Sequence, residues 1–347
     1  MKTKSVVNLN SDVYYRSTYW NDIPLVFEYM SENFTGDKKV WWVDDFKRRY
    51  AKKPFEHGLF LNCGDGRHEI EFYDKKIIKR ITAFDVSPDL IKTARKGKGG
   101  RNINFFVGDA NKIKFKNNEF DLVVNIAALH HVQFLNRLCR ILANCLRPEG
   151  VFVNFEYIGP HRNQYPPVQW LLISLIQRHL PKKAKREKFG YPHVPTMLVT
   201  DPTEAIHSEL IRKTIARYFR ITERHDTNGG IAYELLTHNE NIFKLSKKGQ
   251  KETVERILYL DRLLTRLRLV PPLFTYFIAK SEKEVLKNDY LVKEYQKSED
   301  EREFEASRLD GTYRLIDYVR LIVNCKNTRD RIYMIIKYFK VKVNIAR

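Results

Sequence analysis

Through the middle of the chain, short apolar runs that end in small or acidic residues alternate with longer stretches whose apolar positions recur at helical spacing. Gly58-Leu-Phe-Leu61 runs into a glycine-bearing turn, Ile81-Thr-Ala-Phe84 ends at Asp85, and Asn104-Phe-Phe-Val107 ends at Gly108-Asp109. Phe120-Asp-Leu-Val-Val-Asn125 and Gly150-Val-Phe-Val-Asn-Phe155 continue the series. Between these runs, Arg67 to Tyr73, Pro88 to Arg95 and Phe134 to Leu146 carry the helical period. Strands alternating with helices predict a parallel sheet covered on both faces. Further on, Pro202 to Tyr218 reads as a helix, Phe219 to Glu223 as a strand, and Glu252 to Arg268 as a long amphipathic helix. Leu273 to Ala279, after Pro271-Pro272, supplies a last strand. The expectation is an α/β fold: a doubly wound, mostly parallel sheet of about seven strands that closes near Lys280.

Two flanks stand outside this rhythm. Residues 1–50 are aromatic and helical in pattern, with Tyr14, Tyr15, Tyr19, Trp20, Trp41 and Trp42, and are expected to cap the main domain of residues 51–281. Residues 282–347 form an expected helical extension, acidic around Glu299 to Glu305 and basic from Arg331 to Arg347. No period of about 20 to 50 residues repeats, which argues against a solenoid or a propeller.

Composition narrows the class. With 347 residues, 43% of them hydrophobic, the chain is large and apolar enough to bury a core rather than remain disordered. Cys63, Cys139, Cys145 and Cys325 are too few and too scattered for a disulfide framework, and no C-x-x-C pair points to zinc, so no metal is expected. The start of the chain shows no secretory signal, and the longest apolar run, Val168 to Ile176, falls well short of the roughly 20 residues a membrane span needs. A cytoplasmic protein is the expectation. The net charge of +20 admits a phosphate-bearing partner, an anionic membrane surface or a merely solvated basic face.

The densest chemical signal is Asn62-Cys63-Gly64-Asp65-Gly66, which joins the first strand to the first helix of the alternating block. Small residues beside a helix N-terminus let a ligand approach the backbone closely. Asp85 follows Gly66 by 19 positions and ends the second strand, where an acid accepts hydrogen bonds from ribose hydroxyls; Ser87 is better placed than Asp85 to cap the next helix. Asp109, ending the third strand, is a candidate for an adenine amino group or, equally, a turn residue.

In this order the segments LNCGDG, FDVSPDLIKTAR, FVGDA, FDLVVNIAALHHV and LRPEGVFVNF resemble the class I S-adenosylmethionine-dependent methyltransferases over roughly residues 55–280. That resemblance implies a Rossmann-like sheet, S-adenosyl-L-methionine as cofactor, and a cofactor site made by Asn62, Cys63, Gly64, Gly66, Asp85, Val86, Asp109, Ala110 and Asn125. Two departures stand out: Phe60 occupies the place where such proteins commonly carry an acid, and Asn62 that of the first glycine. A dinucleotide-binding dehydrogenase fits less well, since Glu69 stands where the last glycine of G-x-G-x-x-G belongs.

The acceptor is expected over the carboxyl edge of the sheet. His131, in Ala128-Leu-His-His131, is the candidate base, with packing or capping as the alternative. Glu156, Tyr157, Arg162 and Gln164, read as a loop after the fifth strand, are candidate substrate-binding residues, with a solvated loop as the alternative. The Asn125-Ile-Ala-Ala128 segment lacks the (D/N/S)-P-P-(Y/F/W) signature of base N-methylation, which disfavours nucleic acid. The segments Glu156 to Gln164 and Asp201 to Ala205 are similar to a bacterial subgroup associated with surface-polysaccharide biosynthesis, which implies O-methylation of a sugar or glycan acceptor. An RNA methyltransferase and a non-catalytic scaffold are the alternatives. Peripheral membrane contact through the basic C-terminal helix and self-association are further expectations; so is Tyr19 or Trp20 lying near the sulfonium in a lid.

Overall fold

Ser87 starts the helix that follows the second strand: its hydroxyl accepts the N–H of Leu90 over 3.3 Å and Pro88 takes the first helical position. Local signals of this kind set the order of elements in the computed structural model, which describes residues 19–187, 189–297, 332 and 335. Helices α1 (Pro24–Thr35) and α2 (Trp42–Tyr50) come first. Then follow β1 (Gly58–Phe60), α3 (Arg67–Asp74), β2 (Ile81–Asp85), α4 (Pro88–Gly97), β3 (Ile103–Val107), β4 (Phe120–Ile126), α5 (Leu135–Cys145) and β5 (Leu146–Tyr157). Helices α6 (Pro167–His179), α7 (Val194–Thr200) and α8 (Ile211–Tyr218) precede β6 (Phe219–Thr227). Helices α9 (Ala232–Leu236), α10 (Glu240–Phe243) and α11 (Lys247–Arg266) lead to β7 (Phe274–Ser281) and α12 (Lys283–Leu286).

The seven strands form one sheet in the order β3-β2-β1-β4-β5-β7-β6. Strands β1 to β5 run parallel, and β7 enters antiparallel between β5 and β6. The sheet is the doubly wound α/β arrangement expected from the alternation. Its winding reverses between β1 and β4, so the loops after those strands diverge and leave a crevice at their carboxyl ends. The central strands are buried on both faces, which is why they read as continuous apolar runs.

Helices α1 and α2 are built into this core. Trp42 packs 5.3 Å from the ring of Tyr276 on β7, and Trp20 stacks on Phe274 at 5.2 Å. Trp20 is therefore a core residue rather than part of a mobile lid, because a large ring recovers more by burial against β7 than by exposure. Asp261 on α11 ties the parts together: its carboxylate accepts from the Tyr29 hydroxyl and from the N–H groups of Gly229, Ile231 and Ala232 ahead of α9.

Two elements differ from their sequence readings. The helix expected over Pro202 to Tyr218 begins only at Ile211, after a 3-10 turn from Ser208 to Leu210; residues 201–207 instead fold as turns held by Arg162 and His130. Strand β5 continues to Tyr157, because Glu156 pairs with Thr275 and Tyr157 with Phe274 on β7, so these two residues lie in the sheet and not on a loop. The acidic stretch from Glu299 and the basic segment from Arg331 lie outside the described residues apart from Ile332 and Ile335. Among the described residues no helix is long and apolar enough to cross a membrane.

Candidate active site

The turn after β1 is shaped by its backbone. Asn62 has φ of 42°, Gly64 56° and Gly66 83°, three left-handed residues in five. Asparagine is among the side-chain-bearing residues that best tolerate this region, which explains how Asn62 stands in a glycine's place. A Cβ on Gly66 would lie 2.7 Å from Phe105 and 2.9 Å from Ala94. The turn is fastened on three sides. Cys63 N–H donates to the Phe84 carbonyl over 2.9 Å, the Gly64 N–H to Asp85 Oδ2 over 3.0 Å, and Asn62 Nδ2 to the Ala128 carbonyl over 3.3 Å.

Asp85 is buried, and its other oxygen accepts the Ser87 N–H over 2.8 Å. Burial raises its pKa, against the pull of these backbone donors. Each carboxylate oxygen has a second lone pair for a ligand hydroxyl. Val86 beside it is exposed and Cys63 is buried, its thiol pushed up by burial and by the Glu69 and Asp85 carboxylates. Asp109 closes a turn by accepting the Asn111 N–H over 2.9 Å, and Ala110 is buried behind it.

Phe60 fills the position of the missing acid and packs edge-on to Phe72 at 5.1 Å. A buried carboxylate nevertheless stands near the turn. It comes from Glu69 in the first turn of α3, whose Oε2 has no hydrogen-bond partner among the described residues. Burial, reinforced by Asp65 and Asp85, pushes its pKa up to about 8. Along the sequence Glu69 marks only a break in a glycine pattern; its place three residues into a helix that starts at the turn is the available signal.

Across the switch point, the 3-10 turn Leu129–His131 after β4 carries both histidines. Glu156 is wholly buried at the end of β5 and organises this turn. Its Oε2 accepts from Asn125 Nδ2 (2.8 Å) and from the N–H groups of Ala128 (3.0 Å) and Leu129 (2.6 Å); its Oε1 accepts from Tyr157 N–H (2.7 Å) and lies 2.6 Å from His130 Nδ1. Burial works against both charges of this pair, yet mutual attraction wins: the His130 pKa rises to about 9 and that of Glu156 falls. His131 is the more open ring, 32% exposed against 10% for His130. Burial and the neighbouring His130 charge lower its pKa.

Facing the histidines is the turn at 201–205. Glu204 Oε2 lies 3.9 Å from His130 Nε2 and 3.8 Å from His131 Nε2, while His131 Nδ1 lies 3.2 Å from Thr203 Oγ1 and 4.0 Å from Asp201 Oδ2. Arg162, with φ of 51° and a buried guanidinium, holds this turn by donating from Nη1 to the Glu204 carbonyl and from its N–H to that of Ala205. Gln164 Nε2 donates to the carbonyls of Arg162 and Pro192, and the Tyr157 hydroxyl donates to Asn163 Oδ1 over 2.6 Å.

The residues singled out from sequence thus sort by position. Asn62, Cys63, Gly64, Gly66, Asp85 and Val86 gather at the first turn. His131 faces the 201–205 turn. Asn125, Glu156, Tyr157, Arg162 and Gln164 are committed to contacts within the protein that shape the site from behind. His130, Asp201 and Glu204 were not foreseen as a cluster, since no spacing in the chain links residues brought together by a tertiary turn.

The glycine turn at a switch point, with an acid behind it at the end of β2, leaves backbone and carboxylate acceptors at the edge of a crevice where such sheets hold ligands. Residues 59–154 match the family described as "Methyltransferase domain", and S-adenosyl-L-methionine is the cofactor of this domain. The chain is 29% identical over 136 residues to the mouse protein named arginine-hydroxylase NDUFAF5, mitochondrial, covering 39% of this chain and 37% of that one. It is 30% identical over 125 residues to norajmaline N-methyltransferase of Rauvolfia serpentina, covering 35% and 41%. The matched region thus spans well under half the length of these curated relatives. Among solved structures, an S-adenosylmethionine-dependent methyltransferase from Mesorhizobium loti aligns with a TM-score of 0.42 at 16% identity, over 65% of this chain and 91% of that one.

Proposed function

We propose that the protein transfers a methyl group from S-adenosyl-L-methionine to a hydroxyl of a sugar or another small hydroxylated acceptor. The observation that carries this reading is the adjacency of two sites at one sheet edge. The turn bound to Asp85 is tied to the turn that carries His131, since Asn62 Nδ2 donates to the carbonyl of Ala128, and His131 in turn faces Asp201 and Glu204. The turn and Asp85 fit the cofactor: Gly64 and Gly66 take the left-handed path that keeps side chains out of the turn, and the Asp85 carboxylate, bound to the Gly64 and Ser87 N–H groups, keeps a second lone pair on each oxygen for ribose hydroxyls. When bound, the cofactor supplies a methyl group already activated on a sulfonium, which leaves as a neutral thioether.

The chain then has two tasks. It aligns the acceptor oxygen with the methyl carbon, a contribution worth up to about 7–11 kcal/mol in ideal cases. It also takes the acceptor's proton. His131, Asp201 and Glu204 are the partly open groups placed to receive it, worth about 10²- to 10⁴-fold in rate. Glu156, Asn125 and Arg162 act one step removed, by holding the two turns that carry this cluster. In this reading the described part of the N-terminal flank, residues 19–50, caps the main domain, and the compartment is the cytoplasm.

Isothermal titration with S-adenosylhomocysteine, followed by a screen of hydroxylated acceptors scored by S-adenosylhomocysteine release, tests the reading. Binding without release on any hydroxyl acceptor, combined with release on RNA or a protein, would redirect it.

A further inference from the structure

The two histidines of the 3-10 turn are arranged with unusual consistency. Each turns its Nδ1 atom outward to a protein partner: His130 Nδ1 to Glu156 Oε1 at 2.6 Å, and His131 Nδ1 to Thr203 Oγ1 at 3.2 Å with Asp201 Oδ2 behind at 4.0 Å. Each points its Nε2 atom at the same Glu204 Oε2, at 3.9 and 3.8 Å. The ligand atoms of His130, His131 and Glu204 all lie within 4.8 Å of one another.

A hydrogen bond does not explain this. Both distances to Glu204, 3.9 and 3.8 Å, exceed hydrogen-bonding range. Around a first-row divalent ion bound at about 2.0–2.2 Å, ligand atoms lie roughly 3 to 3.5 Å apart, so the two gaps to Glu204 close with shifts of about half an ångström and the two ring nitrogens, within 4.8 Å of each other, with at most about 1 to 2 Å. Outer partners on the non-ligating nitrogen are what fixes a metal-binding histidine in orientation, and a carboxylate in that role is common. The surroundings agree in charge: Glu156, Glu204 and Asp201 face the two rings, and two of the three inner groups are partly open to solvent.

We propose that His130 Nε2, His131 Nε2 and Glu204 Oε2 bind one divalent first-row transition ion, with the open coordination positions facing the acceptor. The mixed nitrogen and carboxylate set favours zinc, manganese, iron or cobalt over magnesium or calcium. Bound there, the ion would hold an acceptor hydroxyl and make its proton more acidic. His131 then serves as a ligand, and the proton passes to Asp201 or to water. This role for the ion rests on the methyltransferase reading; the binding itself does not.

The test uses the full chain stripped of metal by chelation and titrated with cobalt(II), followed by its visible d–d absorption. Saturation at one equivalent, displaced by zinc, is expected. Glu204→Gln should weaken binding at least about 100-fold, and Thr203→Val, which removes an outer partner, about 10-fold. Both variants must keep the wild-type unfolding midpoint and S-adenosylhomocysteine affinity, which separates loss of a ligand from loss of the fold. Cobalt bound equally by the wild type and Glu204→Gln, or not bound at all, overturns the site. Metal bound as expected, but methyl transfer unchanged by chelation, overturns the role in holding the acceptor. Metal bound with no methyl transfer to any hydroxyl acceptor leaves the site standing and sinks the functional reading instead.

Discussion

The backbone N–H of Gly64 donates to Asp85 Oδ2 over 3.0 Å, so the turn that ends β1 and the acid that ends β2 form one hydrogen-bonded unit. In the proposed reading, the carboxylate that would meet a ribose is therefore also the one that shapes the glycine turn. A single substitution acts on both.

Asp85→Ala is expected to weaken S-adenosylhomocysteine binding by about 10- to 150-fold, corresponding to one hydrogen bond to a charged group at roughly 1.5–3 kcal/mol. Asp85→Asn should bind more tightly than Asp85→Ala, because its amide oxygen still accepts the Gly64 N–H. Titration calorimetry on the three proteins checks the order. An Asp85→Ala protein with wild-type affinity would remove Asp85 from the cofactor site.

Gly66 and Gly36 make a controlled pair. Both are left-handed, with φ of 83° and 79°, but a Cβ at Gly66 meets Phe105 and Ala94 whereas one at Gly36 meets nothing within 4 Å. Gly36→Ala should cost only the left-handed penalty, about 1–2 kcal/mol. Gly66→Ala should add about 1–3 kcal/mol of overpacking. Equal losses in chemical denaturation would mean that the packing around Gly66 gives way freely.

The Glu69 carboxyl should make the unliganded protein less stable as pH rises. Its pKa in the folded protein, raised by burial to about 8 from an ordinary 4.5, makes the protonated form the favoured one. The contribution is complete below pH 4.5 and is lost as pH climbs through about 8, at up to about 1.4 kcal/mol per pH unit. Glu69→Gln keeps the neutral shape and should flatten this slope. The check is urea midpoints for both proteins across that window, and parallel slopes would refute the assignment.

His130 and Glu156 form a buried charged pair, so removing one partner strands the other. His130→Ala should cost about 3–5 kcal/mol. Glu156→Ala should cost more, since it also leaves the N–H groups of Ala128, Leu129 and Tyr157 without their acceptor. The reverse order of denaturation free energies would show that the turn finds other partners.

Much of this was legible along the chain. The apolar runs at 58–61, 81–84 and 120–125 became strands because residues buried on both faces of a central strand carry no polar alternation to confuse the pattern. Asp85 was recognisable from its distance to Gly66, since a strand, a turn and a helix have nearly constant lengths in this unit. The helix expected from Pro202 was not there before Ile211: Arg162 and His130 capture the backbone of 205 and 206 and hold it in turns, which helical periodicity cannot register. Glu156 has the sequence pattern of a loop residue because nothing within its own segment shows that β7 will pair with it from more than a hundred residues away.

By itself, then, the order of apolar runs, glycines and acids along the chain determined the parallel part of the doubly wound sheet and the place of the glycine turn, because strands buried on both faces and left-handed turns each leave a local mark in the sequence. The acceptor side was decided only by tertiary structure. His130, His131, Asp201, Glu204 and Glu156 come from three separate segments, and what joins them is the closing of β5 against β7 and the docking of the 201–206 turn on the end of β4. Their mutual charge and orientation exist only once burial has removed the water that would otherwise separate them.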